Sequence, residues 1–389
     1  MRNLIFALLL MFPAQAGWAD VTLGVTSPAA HFSPGNWAGD AGRAGTRDRV
    51  TWNNGAWCEW RWTTTSAQPK AVLQISNQTP GSTISYFIDG SFVDSIPVPA
   101  EGGIQITGLS GAGSHSLIAV MRSSQQKARW DGANAFTVNG LALDDGATPL
   151  PAGAYRPWVM IVGDSITEGI QAANGADSSL ADYSFLVGQG LRAAGYDTCV
   201  SACGYSGWIR HGDAGGDVPG YYAISGGTYQ ETESRWDKID GRTSLLDADG
   251  HLSAYGQKGQ EPAAILLNYM VNEALSHADV HDCQASVTGC LAALRKAAPQ
   301  SWILILIPPG LEDTRIYPQG AGYIQALKDG VAGYEAANPT DRRTVLIDMG
   351  PDVAHALASQ PYGGGVHPNA AGHAYLTPLV LQSMLHYLR

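Results

Sequence analysis

The chain of 389 residues is poor in cysteine, poor in positive charge and without any apolar run long enough to cross a bilayer. Its five cysteines are Cys58, Cys199, Cys203, Cys283 and Cys290, an odd count that excludes a fully paired intrachain disulfide framework. Their spacings match no zinc site. Cys283 and Cys290 are the readier pair, but they can bridge only if Cys283 lies in a loop ahead of a helix. Seven residues of α-helix separate Cα atoms by about 10 Å, beyond disulfide reach. Lysine and arginine number 23 against 34 aspartates and glutamates, a net charge of −11. That balance argues against nucleic acid and anionic membrane as partners.

What is present begins with an address. Met1-Arg2, the apolar run from Leu4 to Phe12, and then Ala14-Gln15-Ala16 and Gly17-Trp18-Ala19 form a secretory leader over residues 1–19 with two candidate cleavage points. The mature protein is therefore expected in a periplasm or outside the cell, without membrane insertion. Residues 20–145 show short strands broken by glycine, proline and asparagine, and no helical period. Asp89-Gly90 and Asn139-Gly140 each lie between apolar segments, the signal of a type I′ hairpin turn. This part is expected to be an all-β sandwich or jelly roll. Residues 146–154 supply a polar, proline-rich linker.

Residues 155–389 alternate. Apolar runs at Val159 to Val162, Cys199 to Ala202, Ala264 to Asn268, Trp302 to Ile307 and Val345 to Asp348 are separated by helical stretches such as Ser184 to Ala194 and Tyr323 to Ala337. Five buried strands with helices between them imply an α/β domain built on a parallel sheet covered on both faces. The segment from Ile209 to Pro262 is too long for an ordinary crossover and is either a substrate-shaping lid or surface decoration.

The chemistry gathers at the strand ends. Gly163-Asp164-Ser165-Ile166-Thr167-Glu168-Gly169 follows the first apolar run directly. The second runs into Cys203-Gly204-Tyr205-Ser206-Gly207-Trp208, the third into Asn268 to Glu273, and the last helix opens after Gly365-Val366-His367-Pro368-Asn369. Open α/β sheets bind ligands at the carboxyl ends of their strands, so these four blocks converge on one edge. Ser165 is a weak nucleophile until a base takes its proton, and His367 is the base at hand. The oxyanion formed by attack needs donors, and the N–H groups of Ser165 and Gly207 with the amide of Asn272 can supply three. No cofactor or metal is required.

These four blocks resemble the SGNH hydrolases, also called GDSL-type esterases and lipases. The resemblance covers most of Trp158 to Arg389 and implies a three-layer, flavodoxin-like domain. It also implies Ser165 as nucleophile, His367 as base, and Gly207 and Asn272 in the oxyanion hole, with Gly204 the competing glycine. Two positions depart from the family pattern. Met270-Val271-Asn272-Glu273 has Met and Glu where Gly and Asp are usual, and Gly364 stands where the triad aspartate is expected. The imidazole still needs a group to hold its tautomer. A backbone carbonyl of Gly363 to Gly365 is favoured, with Asp348, Asp352, Glu312 or Asp313 as alternatives.

A β-sandwich ahead of such a domain, with a Ser-His dyad in place of a triad, is similar to carbohydrate esterase family two, which implies an acetylated polysaccharide as substrate. Asp164, Tyr205 and Trp208 are the expected substrate-binding residues beside the nucleophile. Trp37, Trp52, Trp57, Trp60, Trp62 and Trp130 crowd the β-rich half, either to stack on sugars or to fill its core. Two other readings stand beside the esterase: a polysaccharide O-acyltransferase, and a non-catalytic carbohydrate-binding or assembly protein. His277 and His281, four apart with Asp279 and Asp282 nearby, have a metal-like spacing but no matching third ligand, and a solvated helix end explains them better. The residues set no oligomeric state.

Overall fold

The computed structural model describes residues 21–39, 48–75, 81–124, 135–209, 224–225, 228–229, 236–239, 243–254, 259–350 and 366–389. The amino-terminal leader, Trp130, Asp352 and the Gly363 to Gly365 run lie outside them.

The first half is all antiparallel β. One sheet holds β1 (Val21–Gly24), β3 (Arg49–Thr51), β5 (Ala71–Ile75), β8 (Gly102–Ile106) and β10 (Phe136–Leu143). The other holds β2 (Ala30–Phe32), β4 (Trp57–Thr64), β6 (Thr83–Ile88), β7 (Ser91–Pro97), β9 (Gly113–Ser123) and β11 (Thr148–Pro149). Leu73, Ile104, Phe136 and Leu141 of the first sheet share one core with Trp60, Trp62, Ile84 and Leu117 of the second. Alternation along β4 drives Cys58, Trp60 and Trp62 into that core while Arg61 is exposed. The β-unit tryptophans Trp37, Trp52, Trp57, Trp60 and Trp62 are all buried, so they are packing residues and not a sugar platform.

Asp89-Gly90 turns β6 into β7 with both φ values positive, as the sequence indicates. Asn139-Gly140 does not make a hairpin. It lies inside the continuous strand β10, where the register against β5 shifts between Val138 and Gly140, a β-bulge. Gly140 has φ +159°, and a Cβ there would strike the carbonyl of Leu23 on the adjacent strand. The glycine serves a close backbone approach instead of a turn. Thr148–Pro149, in the segment expected to be linker, pairs with Trp62 and Thr63 as an edge strand.

The second half carries five parallel strands, β12 (Trp158–Gly163), β13 (Asp197–Ala202), β16 (Ala264–Asn268), β17 (Trp302–Leu306) and β18 (Thr344–Ile347), in the order β13-β12-β16-β17-β18, with a separate short antiparallel pair, β14 (Ile224–Ser225) and β15 (Thr228–Tyr229), in the insertion after β13. The α-helices among the described residues are α1 (Ser165–Glu168), α2 (Tyr183–Ala193), α3 (Val271–Leu275), α4 (Val280–Ala297), α5 (Gly320–Ala337) and α6 (Ala370–Leu388). The chain steps from β12 to one edge and then returns past it to the other, so right-handed crossovers put α2 on one face and α4 and α5 on the opposite one. α2 packs with α6, and α4 with α5, which makes three layers. The reversal of direction at β12 opens the crevice where such sheets bind ligands.

Cys283 and Cys290 both lie within α4, about 10 Å apart along its axis, and all five cysteines are buried and outside any disulfide. The bridge between them is therefore excluded by the helix beginning ahead of Cys283. His277 precedes α4 in a left-handed turn (φ +52°), while Asp279 caps the helix by accepting from the N–H groups of His281 and Asp282. The two histidines do not share a helical face. Of the long insertion, Trp236, Ile239, Leu245 and Leu252 are buried in the α/β core. That stretch is anchored to the scaffold, with Asn53 donating to the carbonyl of Ile239 and the N–H of Leu252 to that of Ala297.

Candidate active site

The nucleophile turn is built by a glycine that ends the strand, an N-capping aspartate and a closing glycine. Gly163 ends β12 where a Cβ would overlap the Thr167 hydroxyl. Asp164 is the N-cap of α1, its Oδ1 accepting from Ile166 N–H at 2.9 Å, and Gly169 closes that single turn in the left-handed conformation (φ +86°). Ser165 is the first helical residue, partly exposed. On the other side of the crevice, Asn369 caps α6 by accepting from Gly372 N–H at 3.0 Å, which fixes the segment carrying His367. Nε2 of His367 stands 2.8 Å from Ser165 Oγ.

Nδ1 of His367 lies 3.2 Å from the side-chain oxygen of Gln171, a residue the sequence pattern does not single out. The Asn174-Gly175 pair just beyond α1 is the signal that a tight turn folds this loop back. Of the carboxylates considered as partners for the histidine, Asp348 pairs with Lys328 at 3.2 Å, Asp313 pairs with Arg315 at 2.6 Å, and Glu312 is exposed. Burial holds the His367 pKa below the ordinary histidine value, opposed by the negative charge of Asp177.

The loop after β13 is clamped at both ends by buried carboxylates. Glu168 accepts from Gly204 N–H at 2.7 Å, and Glu273 accepts from Ile209 N–H at 3.1 Å. The Gly204 amide is thus committed to structure, which favours Gly207 as the glycine facing the serine. A Cβ at Gly207 would strike the Glu273 carboxylate, so glycine is required there on packing grounds alone. Asn272 donates to the carbonyl of Ser206 at 2.8 Å and makes a longer contact of 3.4 Å to Asp164 Oδ2. Met270, at the position where the family pattern has glycine, keeps a glycine-like backbone (φ +124°) despite its side chain.

Asp164 is almost wholly buried, and burial with the nearby carboxylates of Glu273 and Glu168 pushes its pKa up to about 8. It is a helix cap and not a surface for substrate. Trp208 is also withdrawn from the expected substrate contacts: it is fully buried, set edge-on to Tyr269 at 5.9 Å, and its carbonyl accepts from Ser286. The alternation within the loop turns this ring into the core. Tyr205 is the opposite case, 58% exposed and in the left-handed region (φ +58°). Behind the site, His373 of α6 is buried and accepts from Tyr183 N–H through Nδ1, and burial lowers its pKa to about 3.

A serine and a histidine meet in hydrogen-bond contact at the crevice of a flavodoxin-like sheet, and the sequence model of the GDSL-like lipase/acylhydrolase family matches residues 159–379. The chain belongs to that family. By class it is a carboxylic ester hydrolase. Its two-part architecture is shared by solved structures at low identity. A carbohydrate esterase family 2 enzyme with a carbohydrate binding domain, from Corynascus thermopiles (Myceliophthora fergusii), superimposes with a TM-score of 0.64 at 19% identity, covering 92% of this chain and 99% of that one. An acetyl xylan esterase from the rumen bacterium Butyrivibrio proteoclasticus gives 0.64 at 14% identity, covering 95% and 99%. A salicylyl-acyltransferase from a tetracycline biosynthetic pathway gives 0.58 at 15% identity, covering 94% and 98%. No curated protein matches by sequence. Among the described residues no helix is long and apolar enough to cross a membrane.

Proposed function

We propose that this GDSL-family chain is a secreted serine esterase that removes short acyl groups, acetyl above all, from carbohydrate esters. The supporting observation is the 2.8 Å contact between Ser165 Oγ and His367 Nε2 at the strand-end crevice. In this reading His367 takes the Ser165 proton as Oγ attacks the ester carbonyl, and the oxyanion is met by the N–H of Ser165, the N–H of Gly207 and the Asn272 amide. His367 then returns the proton to the leaving sugar hydroxyl, and a water deprotonated by the same ring hydrolyses the acyl-enzyme. Exposed Tyr205, beside this crevice, offers a face on which a sugar ring can stack. We further propose a division into a leader (1–19), a β-sandwich that runs on past residue 145 to take in β11 (20–149), a short connection (150–154) and the hydrolase domain (155–389).

Acetate release from p-nitrophenyl acetate and from acetylated xylan, by the purified chain beside Ser165→Ala, tests the reading. Serine-dependent release from both is expected. Release from neither by a folded protein would overturn it. An O-acyltransferase is the second reading, favoured by the acyltransferase that shares this fold. Acetyl passing to an added glycan in preference to water would select it.

A further inference from the structure

We propose that Gln171 is the positioning residue for His367, a neutral third member of the site that takes the place of the missing aspartate. This rests on the Ser-His reading above. If Nε2 accepts the proton of Ser165, the neutral ring must carry its own proton on Nδ1, and that proton needs an acceptor. The Gln171 side-chain oxygen lies 3.2 Å from Nδ1 and is oriented to receive it.

The loop holds Gln171 from both ends. Its backbone is left-handed (φ +57°), unusual for a side chain of this kind. Its N–H donates to Asp177 Oδ1 at 2.9 Å, and its carbonyl accepts from Gly175 N–H at 3.1 Å. Asn174 and Gly175, with φ of +55° and +99°, form a tight turn between Ala173 and Ala176, which exchange two backbone hydrogen bonds at 2.9 and 3.2 Å. Ser178 N–H then donates to the Gly169 carbonyl at 2.9 Å, tying the loop back to the end of α1. The element that presents the nucleophile therefore also presents the acceptor for the base, and the two are set in register by one short segment. Among the described residues, the chargeable groups that act on the ring are Asp177 of this loop and His373 of α6, which is neutral above about pH 3. The amide oxygen fixes the tautomer without an ion pair, while Asp177, which accepts from the Gln171 N–H, adds a negative charge that favours the protonated ring.

Gln171→Leu removes the acceptor and Gln171→Glu restores it with a charge. In the full chain with p-nitrophenyl acetate, Gln171→Leu is expected to lower kcat about 10- to 100-fold with KM within about twofold, less than the roughly 10⁴-fold loss that accompanies a wrong tautomer in a charged triad. Gln171→Glu is expected to recover most of kcat and to move the acidic limb of kcat/KM upward by about one pH unit, because a carboxylate favours the imidazolium. Wild-type kcat and pH profile in Gln171→Leu, or equal losses in both variants with no shift of the limb, would overturn the proposal. The Nδ1 proton resonance of His367 separates this outcome from a failure of the esterase reading. It is expected in wild type and in Ser165→Ala whatever the turnover, and broadened by exchange in Gln171→Leu. Its persistence unchanged in Gln171→Leu would sink the assignment on its own.

Discussion

Asn272 is held by acceptors before any substrate arrives, its amide donating to the Ser206 carbonyl at 2.8 Å and lying 3.4 Å from Asp164. The shorter bond orients the side chain, and the longer one is the donor free to turn toward an oxyanion. Asn272→Ala should therefore lower kcat by about 10²- to 10³-fold, roughly 3 kcal/mol of transition-state stabilisation, with KM little changed. Steady-state kinetics on p-nitrophenyl acetate reads that split, and a rise in KM at constant kcat would remove Asn272 from the oxyanion hole. The same pair sets the pH dependence. His367 must be neutral to act as base, and its lowered pKa places the acidic limb of kcat/KM below the ordinary histidine value near 6.5. Asp164, protonated up to about pH 8, becomes charged above it, drawing the Asn272 amide away and setting a negative charge behind the oxyanion. The rate should fall above about pH 8. Asp164→Asn, which keeps the cap acceptor and loses the charge, should show no such alkaline limb even where its absolute rate is lower.

The loop from Gly204 to Ile209 acts as one piece because Glu168 grips its start and Glu273 its end. Gly207→Ala drives a methyl into the Glu273 carboxylate, so the clamp must open. The expected result is a loss of kcat of at least 10-fold and a melting temperature several degrees lower, measured together by turnover and by thermal unfolding. Retention of both would show that the loop yields without cost. Such clamps explain what the sequence could and could not reveal. Ser165 and Asn272 are legible because buried parallel strands are nearly continuous apolar runs and the polar residues that follow them stand out, and His367 because His367-Pro368-Asn369 marks the opening of the last helix. Gln171 is not legible, since a single polar side chain in a glycine-containing turn has no periodicity. Its role exists only through the left-handed backbone that aims it. Trp208 and Gly140 misled for a related reason. Composition suggests a sugar contact and a hairpin, while packing against Tyr269 and against β1 decides otherwise.

The two halves of the molecule are joined by buried polar contacts as well as apolar ones. His31 Nε2 meets Asp197 Oδ2 at 2.9 Å with both side chains almost fully buried, Asn36 donates to the Val200 carbonyl at 2.8 Å, and Ser179 donates to that of Met121 at 2.9 Å. Arg192 of α2 lies over the Trp57 ring at 4.2 Å and pairs with Glu59. The outer face of the second β-sheet is thus covered by β13 and α2, and the β-unit behaves as part of the hydrolase body instead of a tethered module. Chemical denaturation followed by tryptophan fluorescence, to which both halves contribute with six tryptophans in the β-unit and four in the hydrolase half, and by far-ultraviolet dichroism, dominated by the helices, should give coincident transitions. His31→Ala removes the ring that hydrogen-bonds the buried Asp197 side chain and should lower stability by roughly 1–3 kcal/mol in both signals together. Asp197 opens β13, whereas the catalytic crevice lies beyond the other end of that strand, about 17 Å away at ~3.3 Å per residue. The turnover of the folded variant should therefore stay within about twofold of wild type. Separation of the two transitions, with only the fluorescence signal shifted, would mean that the halves fold independently and that the buried contacts merely align them.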